Sequence, residues 1–394
     1  MTHKHEEEDC ISVPVHRIAI AIPKYGLTGG AEGFTAELTE RLADNRRYEM
    51  HVFANRWATP SGKVIFHRVP VISFPKFLTT LSFAWFAGRR IAGRHFDLVH
   101  AHDRLLEADI FTMHGIPHRI WIRKVRRRTL SFYDYVTDRV ERHLVHSQRC
   151  RFFLAVSGLA RENFLAAYGG TDPRAVKVVP PGVDSARFQQ LDRQQCRREI
   201  RESFGIGTTE VVLLFVSMNF AIKGLDRLIT ALGALKQDKP DAQFKLLVVG
   251  KGKIGKYTRL AHSRGIGDRI VFAGTLGKAE IARTYMACDI FSILSQFDTF
   301  GMVVLEAMAA SLPVVISSNV GARDLVREGE NGFVIDDQEN AGQIAAKFGL
   351  LLDCQVREKM GAEALQTARE NTWEAAVDKV VAVYESALPK DNEP

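Results

Sequence analysis

The chain is predicted to fold as an α/β protein of two domains, and three observations predict it. Apolar runs of strand length alternate with amphipathic runs of helix length almost throughout, the pattern of parallel strands joined through crossover helices. A length of 394 residues exceeds what one ordinary core organises, and it favours two domains of under about 200 residues each. With 46% hydrophobic and 25% charged residues the composition matches folded globular proteins, which sets aside a disordered or fibrous chain. Two such domains imply a cleft between them.

In the first half, HRIAIAI (16–22) reads as a strand, AEGFTAELTERL (31–42) as a helix and EMHVFAN (49–55) as the next strand, followed by DLVHAH (97–102) and RFFLAVS (151–157). In the second half the strands are VVLLFVSM (211–218), FKLLVVG (244–250), RIVFAG (269–274), DIFSILS (289–295) and PVVIS (313–317), with helices such as LDRLITALGAL (225–235) between them. The break falls at VKVVPPGVD (176–184), where a strand runs into two prolines and a glycine and a polar, arginine-rich stretch follows. The expected division is residues 1–180, residues 181–372, and a C-terminal helix and tail at 373–394 that packs back toward the first domain. Nothing repeats at a fixed short period, which disfavours a solenoid or propeller. The acidic start and the PKDNEP end are expected to fray.

The five cysteines are scattered, with no C-x-x-C pair, and read as reduced thiols of a cytoplasmic protein rather than a zinc or disulfide framework. The opening MTHKHEEEDC is polar and acidic, the wrong chemistry for a secretory signal. No uninterrupted apolar run reaches the roughly 18 residues of a spanning helix, so membrane contact is expected to be peripheral. The net charge of +7 is concentrated: residues 119–151 hold ten Lys/Arg against three acids, a surplus equal to the whole. Such a distribution describes a basic patch rather than a basic protein.

Ligands of open α/β sheets bind beyond the carboxyl ends of the strands, so the loops there carry the chemistry. After VVLLFVSM comes NFAIKG, which places Lys223 and Gly224 at a helix start suited to an anion, although a surface lysine is the plain alternative. After FKLLVVG comes GKGKIG (250–255), formally a G-x-G-x-x-G match. A nicotinamide dehydrogenase is disfavoured, because the following strand ends in Ala273 and Gly274 rather than in the acid that holds ribose hydroxyls. A tight turn at Gly250, close to a ligand, is the simpler reading.

After DIFSILS comes FDTFGMVVLEAMAASLPVV (297–315). Thr299 is a candidate N-cap, Gly301 permits close backbone approach, and Glu306 is the single charge between Asp298 and Arg323. A carboxylate on a helix that is apolar all round needs partners, either the hydroxyl groups of a bound polyol or a salt bridge within the protein. The loop SNVGARD adds Arg323 near the same edge.

Taken in order, Lys223-Gly224, VVGKG, FAG, the D-x7-E of Asp298 and Glu306 followed by AMAASLPVV, and NGFVID (331–336) resemble the donor-binding half of glycosyltransferase family 4. The resemblance extends over roughly residues 16–385 and implies the GT-B fold, two Rossmann-like domains facing each other across a cleft, with retention of anomeric configuration and no essential metal or cofactor. It further implies that Asp298 and the backbone amides of Phe300, Gly301 and Met302 contact the donor sugar, that Glu306 holds the ribose, and that Lys223 neutralises the leaving diphosphate. Two departures stand out. The first carboxylate is Asp rather than Glu, and SMNF stands where the family often carries a glycine-arginine pair, so the diphosphate leans on Lys223 with Lys251, Lys253 or Arg323 as helpers.

In the first half, PKYGLTGGAEGF (23–34) puts Gly29 and Gly30 at a helix entry, as expected where a phosphate or sugar comes close, and it resembles the family's GGAE loop. His114 in FTMHG follows a strand-like run; a packed core histidine is the plain reading, and the resemblance implies one facing the donor sugar. His100, His102 and Asp103 form H-x-H-D, weak evidence for a metal site in a chain for which none is expected. Residues 118–146 mix arginines with Trp121, Ile120, Ile122, Val125, Leu130, Phe132 and Tyr133, which suits an anionic membrane surface better than nucleic acid, since no nucleic-acid motif accompanies it. PPG (180–182), the Lys-Gly loop and this basic, aromatic segment resemble the glucosyltransferases of lipopolysaccharide core assembly. The expectation is a retaining enzyme at the cytoplasmic face of the inner membrane. It moves a hexose, glucose by resemblance, from a UDP-sugar to a lipid-linked saccharide such as the lipopolysaccharide inner core. Its rivals are a family 4 transferase acting on another glycan and a non-catalytic membrane-associated module that kept the fold.

Overall fold

The computed structural model describes residues 15–27, 29–58 and 61–388. Both ends expected to fray, together with Cys10 and the acidic start, lie outside the described residues. The chain divides into two compact units: one comprises the residues up to Thr112, Ser131–Phe152 and the residues from Val381 on, and the other comprises Met113–Leu130 and Phe153–Val380.

The first unit contains β1 (His16–Ala21), β2 (Lys24–Tyr25), β3 (Tyr48–Ala54), β4 (Arg56–Trp57), β5 (Ile65–Arg68), β6 (Leu98–Ala101) and β7 (Ile110–Met113, whose last residue falls in the other unit). Five of these run parallel in the order β5-β3-β1-β6-β7. β1 is the central strand, and Ile18 to Ala21 are wholly buried, as expected of a strand covered on both faces. Two helices that the sequence reading had not assigned as such, Leu78–Ala92 and Phe132–Val145, pack against each other in this unit.

The second unit contains β8 (Phe152–Ala155, which begins on the boundary residue), β9 (Val176–Val178), β10 (Val211–Ser217), β11 (Phe244–Gly250), β12 (Ile270–Gly274), β13 (Ile290–Ile293), β14 (Val314–Ser317) and β15 (Gly332–Ile335). A six-stranded parallel sheet runs β12-β11-β10-β13-β14-β15. The strands of the second half therefore fall within a residue or two of their expected positions. The run 151–157 ends earlier as a strand, because Ser157 turns out of it to cap the helix Gly158–Ala167, its Oγ accepting from the Ala160 amide at 3.1 Å.

Each sheet reverses its strand order once. In the first unit the chain winds outward from β1 through β3 to β5 and then returns to β6 on the other side of β1. In the second it winds from β10 through β11 to β12 and returns to β13 on the other side of β10. At such a switch point the loops leaving two neighbouring strands diverge and leave a crevice beyond their carboxyl ends, where α/β proteins bind ligands.

Candidate functional site

At the switch point of the second unit the loop after β10 meets the loop after β13. Gln296 donates its amide to the Ile222 carbonyl at 2.8 Å, tying the two together. Gly224 caps the helix Leu225–Asp238 with φ 74°, and a β-carbon there would lie 2.0 Å from the Leu294 carbonyl oxygen, so only glycine fits. This packing aims Lys223 across the crevice, where its ammonium pairs with the Asp298 carboxylate. Lys223 and Asp298 are both part-buried, which strengthens their attraction over that of a surface pair.

The loop that carries Asp298 is held from two sides. Its amide donates to the Asn319 carbonyl at 2.9 Å and its carbonyl accepts from Gly321 at 2.9 Å, while the Phe300 carbonyl accepts from Ala322 at 2.7 Å. From β8's end, Ser157 donates its hydroxyl to the Thr299 carbonyl at 2.6 Å. Thr299 is therefore not the helix cap. Gly301 is, at φ 87°, because the chain must turn left-handed to enter the helix Met302–Ala309, and a β-carbon there would crowd Val320 at 2.9 Å.

Glu306 sits one turn into that helix. Its partner is neither a cation nor solvent alone: Tyr285, fully buried on the helix Lys278–Ala287, donates its hydroxyl to Glu306 Oε2 at 3.0 Å. Poor solvation raises the Glu306 pKa above the ordinary carboxylate range, opposed by the Tyr285 hydrogen bond and by the fields of Arg187 and Lys278. Burial and the neighbouring Glu306 carboxylate push the Tyr285 phenol well up, so it remains a donor. Sequence reading missed Tyr285. It lies 21 residues before Glu306, and no local periodicity couples the two.

His114 belongs to the same unit. Ile116, two residues on, packs in a small apolar cluster with Leu159 and Phe297, against which Ile120, Trp121 and Val125 also lie. The His114 strand end is thereby brought to the segment that continues into Asp298. Burial lowers the His114 pKa to about 3, so the imidazole is neutral at physiological pH. The same cluster corrects one expectation: Trp121 meets Phe297 edge-on at 6.2 Å and Ile122 is buried, so the apolar side chains of 120–125 face protein. Of the aromatic groups in the basic segment, Phe132 and Tyr135 stand well exposed, at 64% and 53%.

Among the remaining second-unit residues, Gly250 lies at φ 121° beside β10, where a β-carbon would fall 1.8 Å from the Ser217 carbonyl oxygen. Two of the GKGKIG glycines are thus set by packing, since Gly252 in turn lies against the Phe220 ring. Arg323 is already engaged, donating to the Glu162 carboxylate at 2.9 Å and to the Ser318 carbonyl at 3.0 Å.

Gly29 and Gly30 lie in the first unit, at its own switch point. Gly29 precedes the helix Gly30–Leu42, and a β-carbon on it would collide with the Glu32 carboxylate. The loops after β1 and β6 line a cavity of about 280 Å³ with Lys24, Glu32, His102, Asp103 and Arg104 among its walls, joined by Thr79, Thr80 and Tyr133. Its charges cancel, and Arg104 is paired with Glu141 at 2.7 Å and Asp103 at 3.2 Å. The H-x-H-D residues serve packing: His100 bridges Tyr384 at 2.8 Å and Thr112 at 2.6 Å, and His102 meets Thr35 at 3.1 Å. Among the described residues no cluster of His, Cys, Asp and Glu is placed to hold a metal ion, and no helix is long and apolar enough to cross a membrane.

Two family profiles match consecutive parts of the chain: Glycosyltransferase Family 4 over residues 28–187, and Glycosyl transferases group 1 over residues 196–367. A D-inositol 3-phosphate glycosyltransferase of Geodermatophilus obscurus is 31% identical over 310 residues, covering 74% of this chain and 67% of that protein. Among solved structures, WaaG, a glycosyltransferase involved in lipopolysaccharide biosynthesis, superposes with a TM-score of 0.78 at 19% identity, over 93% of this chain and 99% of its own. Anabaena Alr3699/HepE in complex with UDP-glucose does so with a TM-score of 0.69 at 18% identity, over 94% and 100%. Two parallel α/β sheets, each with one switch point, are the GT-B architecture, and with these matches the chain belongs to glycosyltransferase family 4, as an enzyme of that class.

Proposed function

We propose that this enzyme transfers a hexose, glucose in the first instance, from a UDP-sugar to a lipid-linked saccharide such as the lipopolysaccharide inner core, with retention. The observation that carries the reading is the arrangement at the second switch point, where Lys223 and Asp298 pair beside a rigidly held loop and Glu306 stands one turn into the following helix. Glu306, ionised and oriented by Tyr285, accepts the ribose hydroxyls. Asp298 and the amides from Phe300 to Met302 orient the sugar. Lys223 and the helix entry at Gly224 stabilise the negative charge that develops on the departing diphosphate, where preorganised donors act most strongly. His114, held neutral, offers the sugar a hydrogen bond rather than a charge. The reading asks for no metal, since Lys223 and the helix amides supply the positive charge, and the diphosphate oxygen takes the acceptor proton as the new bond forms on the same face.

The acceptor belongs to the first unit's cavity. The Geodermatophilus relative is named for an inositol phosphate acceptor, which makes a free sugar phosphate the rival. A cavity whose lysine and arginine are balanced by Glu32 and Asp103 suits neutral sugar hydroxyls better than a phosphate dianion. The reading places the enzyme on the cytoplasmic face of the inner membrane, bound peripherally.

A panel of UDP-, GDP- and ADP-sugars screened by thermal shift tests the donor assignment, because a ligand raises the melting temperature only of a protein that binds it. UDP-glucose is expected to stabilise the wild type, and Glu306→Ala is expected to lose at least about tenfold in affinity, the size of a hydrogen bond to a charged group. Unchanged UDP-glucose affinity in Glu306→Ala would falsify the ribose assignment.

A further inference from the structure

The outer surfaces of the helices Leu78–Ala92 and Phe132–Val145, both in the first unit, are exposed and apolar in a way the fold does not require. The helices run side by side in the same direction: Phe77 meets Phe132 edge-on at 4.9 Å, and Thr80 meets Thr137 one turn along at 3.4 Å. At their N-terminal ends Phe74 is 87% exposed and Phe132 64%. Further along, Leu81 and Trp85 on one helix and Tyr135 on the other also face solvent. Leu81, Trp85 and Arg89 follow at intervals of four on one face of a helix, and Phe132, Tyr135 and Arg139 at intervals of three and four, so each helix carries an apolar stripe that ends in an arginine.

The charge around these stripes has one sign. The stretch from Ile72 through the helix Leu78–Ala92 contains no Asp or Glu and carries Lys76, Arg89 and Arg90. On the other helix the acids point inward. Asp134, Asp138 and Glu141 are buried, Asp138 paired with Arg142 at 3.1 Å and Glu141 with Arg104 at 2.7 Å, and Asp134 closes the capping box with Ser131. Cations also sit on the aromatic rings themselves, with Lys76 Nζ 4.9 Å from the Tyr133 centroid and the Arg89 guanidinium 5.2 Å from that of Trp85.

We propose that this face docks the enzyme on an anionic lipid bilayer, with Phe74 and Phe132 entering the headgroup boundary and the flanking arginines and lysines meeting the lipid charges. Exposed rings bordered by cations match the interface region of a membrane, where amphipathic aromatic groups partition and each nearby cation adds attraction. A second copy of the chain is a poor occupant, because a self-complementary contact here would set like charges against each other. Nucleic acid would satisfy the cations and leave the aliphatic Ile72 and Leu81 uncovered. The surface shares the helix Phe132–Val145 with the 118–146 segment expected from sequence, while the apolar groups of 120–125 face protein and the helix Leu78–Ala92 joins in their place. It deepens the lipid-linked acceptor reading and rests on it for its purpose, but its test is separate.

The full-length protein is sedimented with phosphatidylcholine vesicles with and without phosphatidylglycerol, and UDP-glucose stabilisation is read on the same samples. Wild type is expected to pellet with the anionic vesicles alone. Phe74→Ser with Phe132→Ser is expected to lower the bound fraction at least about tenfold, since exposed rings that leave water contribute strongly to partitioning. Arg89→Gln with Arg139→Gln is expected to lower it about tenfold or more, at roughly 1 kcal/mol for each cation. All of these side chains are exposed, so the variants should keep the wild-type melting temperature and UDP-glucose shift. Wild type left in the supernatant with both vesicle types overturns the proposal. So does undiminished binding by the double-Phe variant, retention on a single-stranded oligonucleotide instead of vesicles, or a dimer that the Phe74→Ser change dissolves. Vesicle binding without any UDP-glucose shift upholds the docking face and counts against the donor reading alone.

Discussion

The two units apply the same topological rule and arrive at opposite kinds of site. At the second unit's switch point the loops after β10 and β13 are tied to each other and to the 319–322 turn by short backbone hydrogen bonds, and a lysine-carboxylate pair spans the crevice. At the first unit's switch point the loops after β1 and β6 stand apart around a cavity of about 280 Å³ with balanced charge. A ligand of fixed geometry gains most from donors that need not reorganise. A site that receives a larger, variable partner gains from room. The difference teaches that a switch point fixes where a ligand binds, while the density of contacts among its loops decides how rigidly it is held.

The largest effect expected from breaking this contrast is at Lys223. Lys223→Met should lower kcat by about two to three orders of magnitude, the usual cost of removing one preorganised stabiliser of developing charge. It should also lower the melting temperature, because Asp298 is left part-buried without its cation. Stopped-time assays of UDP release read the first effect and calorimetry the second; a kcat within a factor of two of wild type would remove Lys223 from the chemistry.

A smaller effect is expected at Tyr285. Tyr285→Phe removes the donor that favours the ionised form of Glu306, so the carboxylate pKa, already raised, should rise further. In the proposed function the ionised form is the one that accepts ribose hydroxyls. Donor affinity is therefore lost as pH falls through the Glu306 pKa, and in the variant that loss should begin at higher pH, with about a tenfold weakening where wild type still binds fully. Titration calorimetry across the acid range measures it, and superimposable pH profiles would mean that the phenol only packs.

The smallest effect sharpens the comparison by stability rather than function. Each unit holds a histidine whose pKa burial depresses from the ordinary 6.5, His114 to about 3 in the second and His67 to about 4 in the first, the latter helped by His51 and Arg94. The unfolded chain takes up these protons near pH 6.5 and the folded chain does so only at the depressed values. Their stabilisation is thus complete above pH 6.5 and is lost as pH falls, toward 4 for His67 and toward 3 for His114. His114→Gln and His67→Gln should each flatten the fall of the melting temperature in its own window, and an unaltered slope in both variants would assign acid sensitivity to other groups.

What the sequence by itself determined is local. The apolar alternation places β1, β3, β10, β11, β13 and β14 to within a residue or two, and glycine at positions 224 and 301 marks turns that need left-handed backbone. An acid isolated in an apolar helix marks Glu306 as a residue in need of a partner. These signals are carried by neighbours within a turn or a strand. Only the tertiary structure decided that β10 and β13, separated by the 72 residues between Ser217 and Ile290, lie side by side, so that Lys223 reaches Asp298. It alone supplied Tyr285 as the partner of Glu306, set Trp121 against Phe297, and left Phe74 and Phe132 facing water. Periodicity records which way a side chain points from its own element. Which surface it then meets depends on strand order and helix packing, which arise from contacts between residues far apart in the chain.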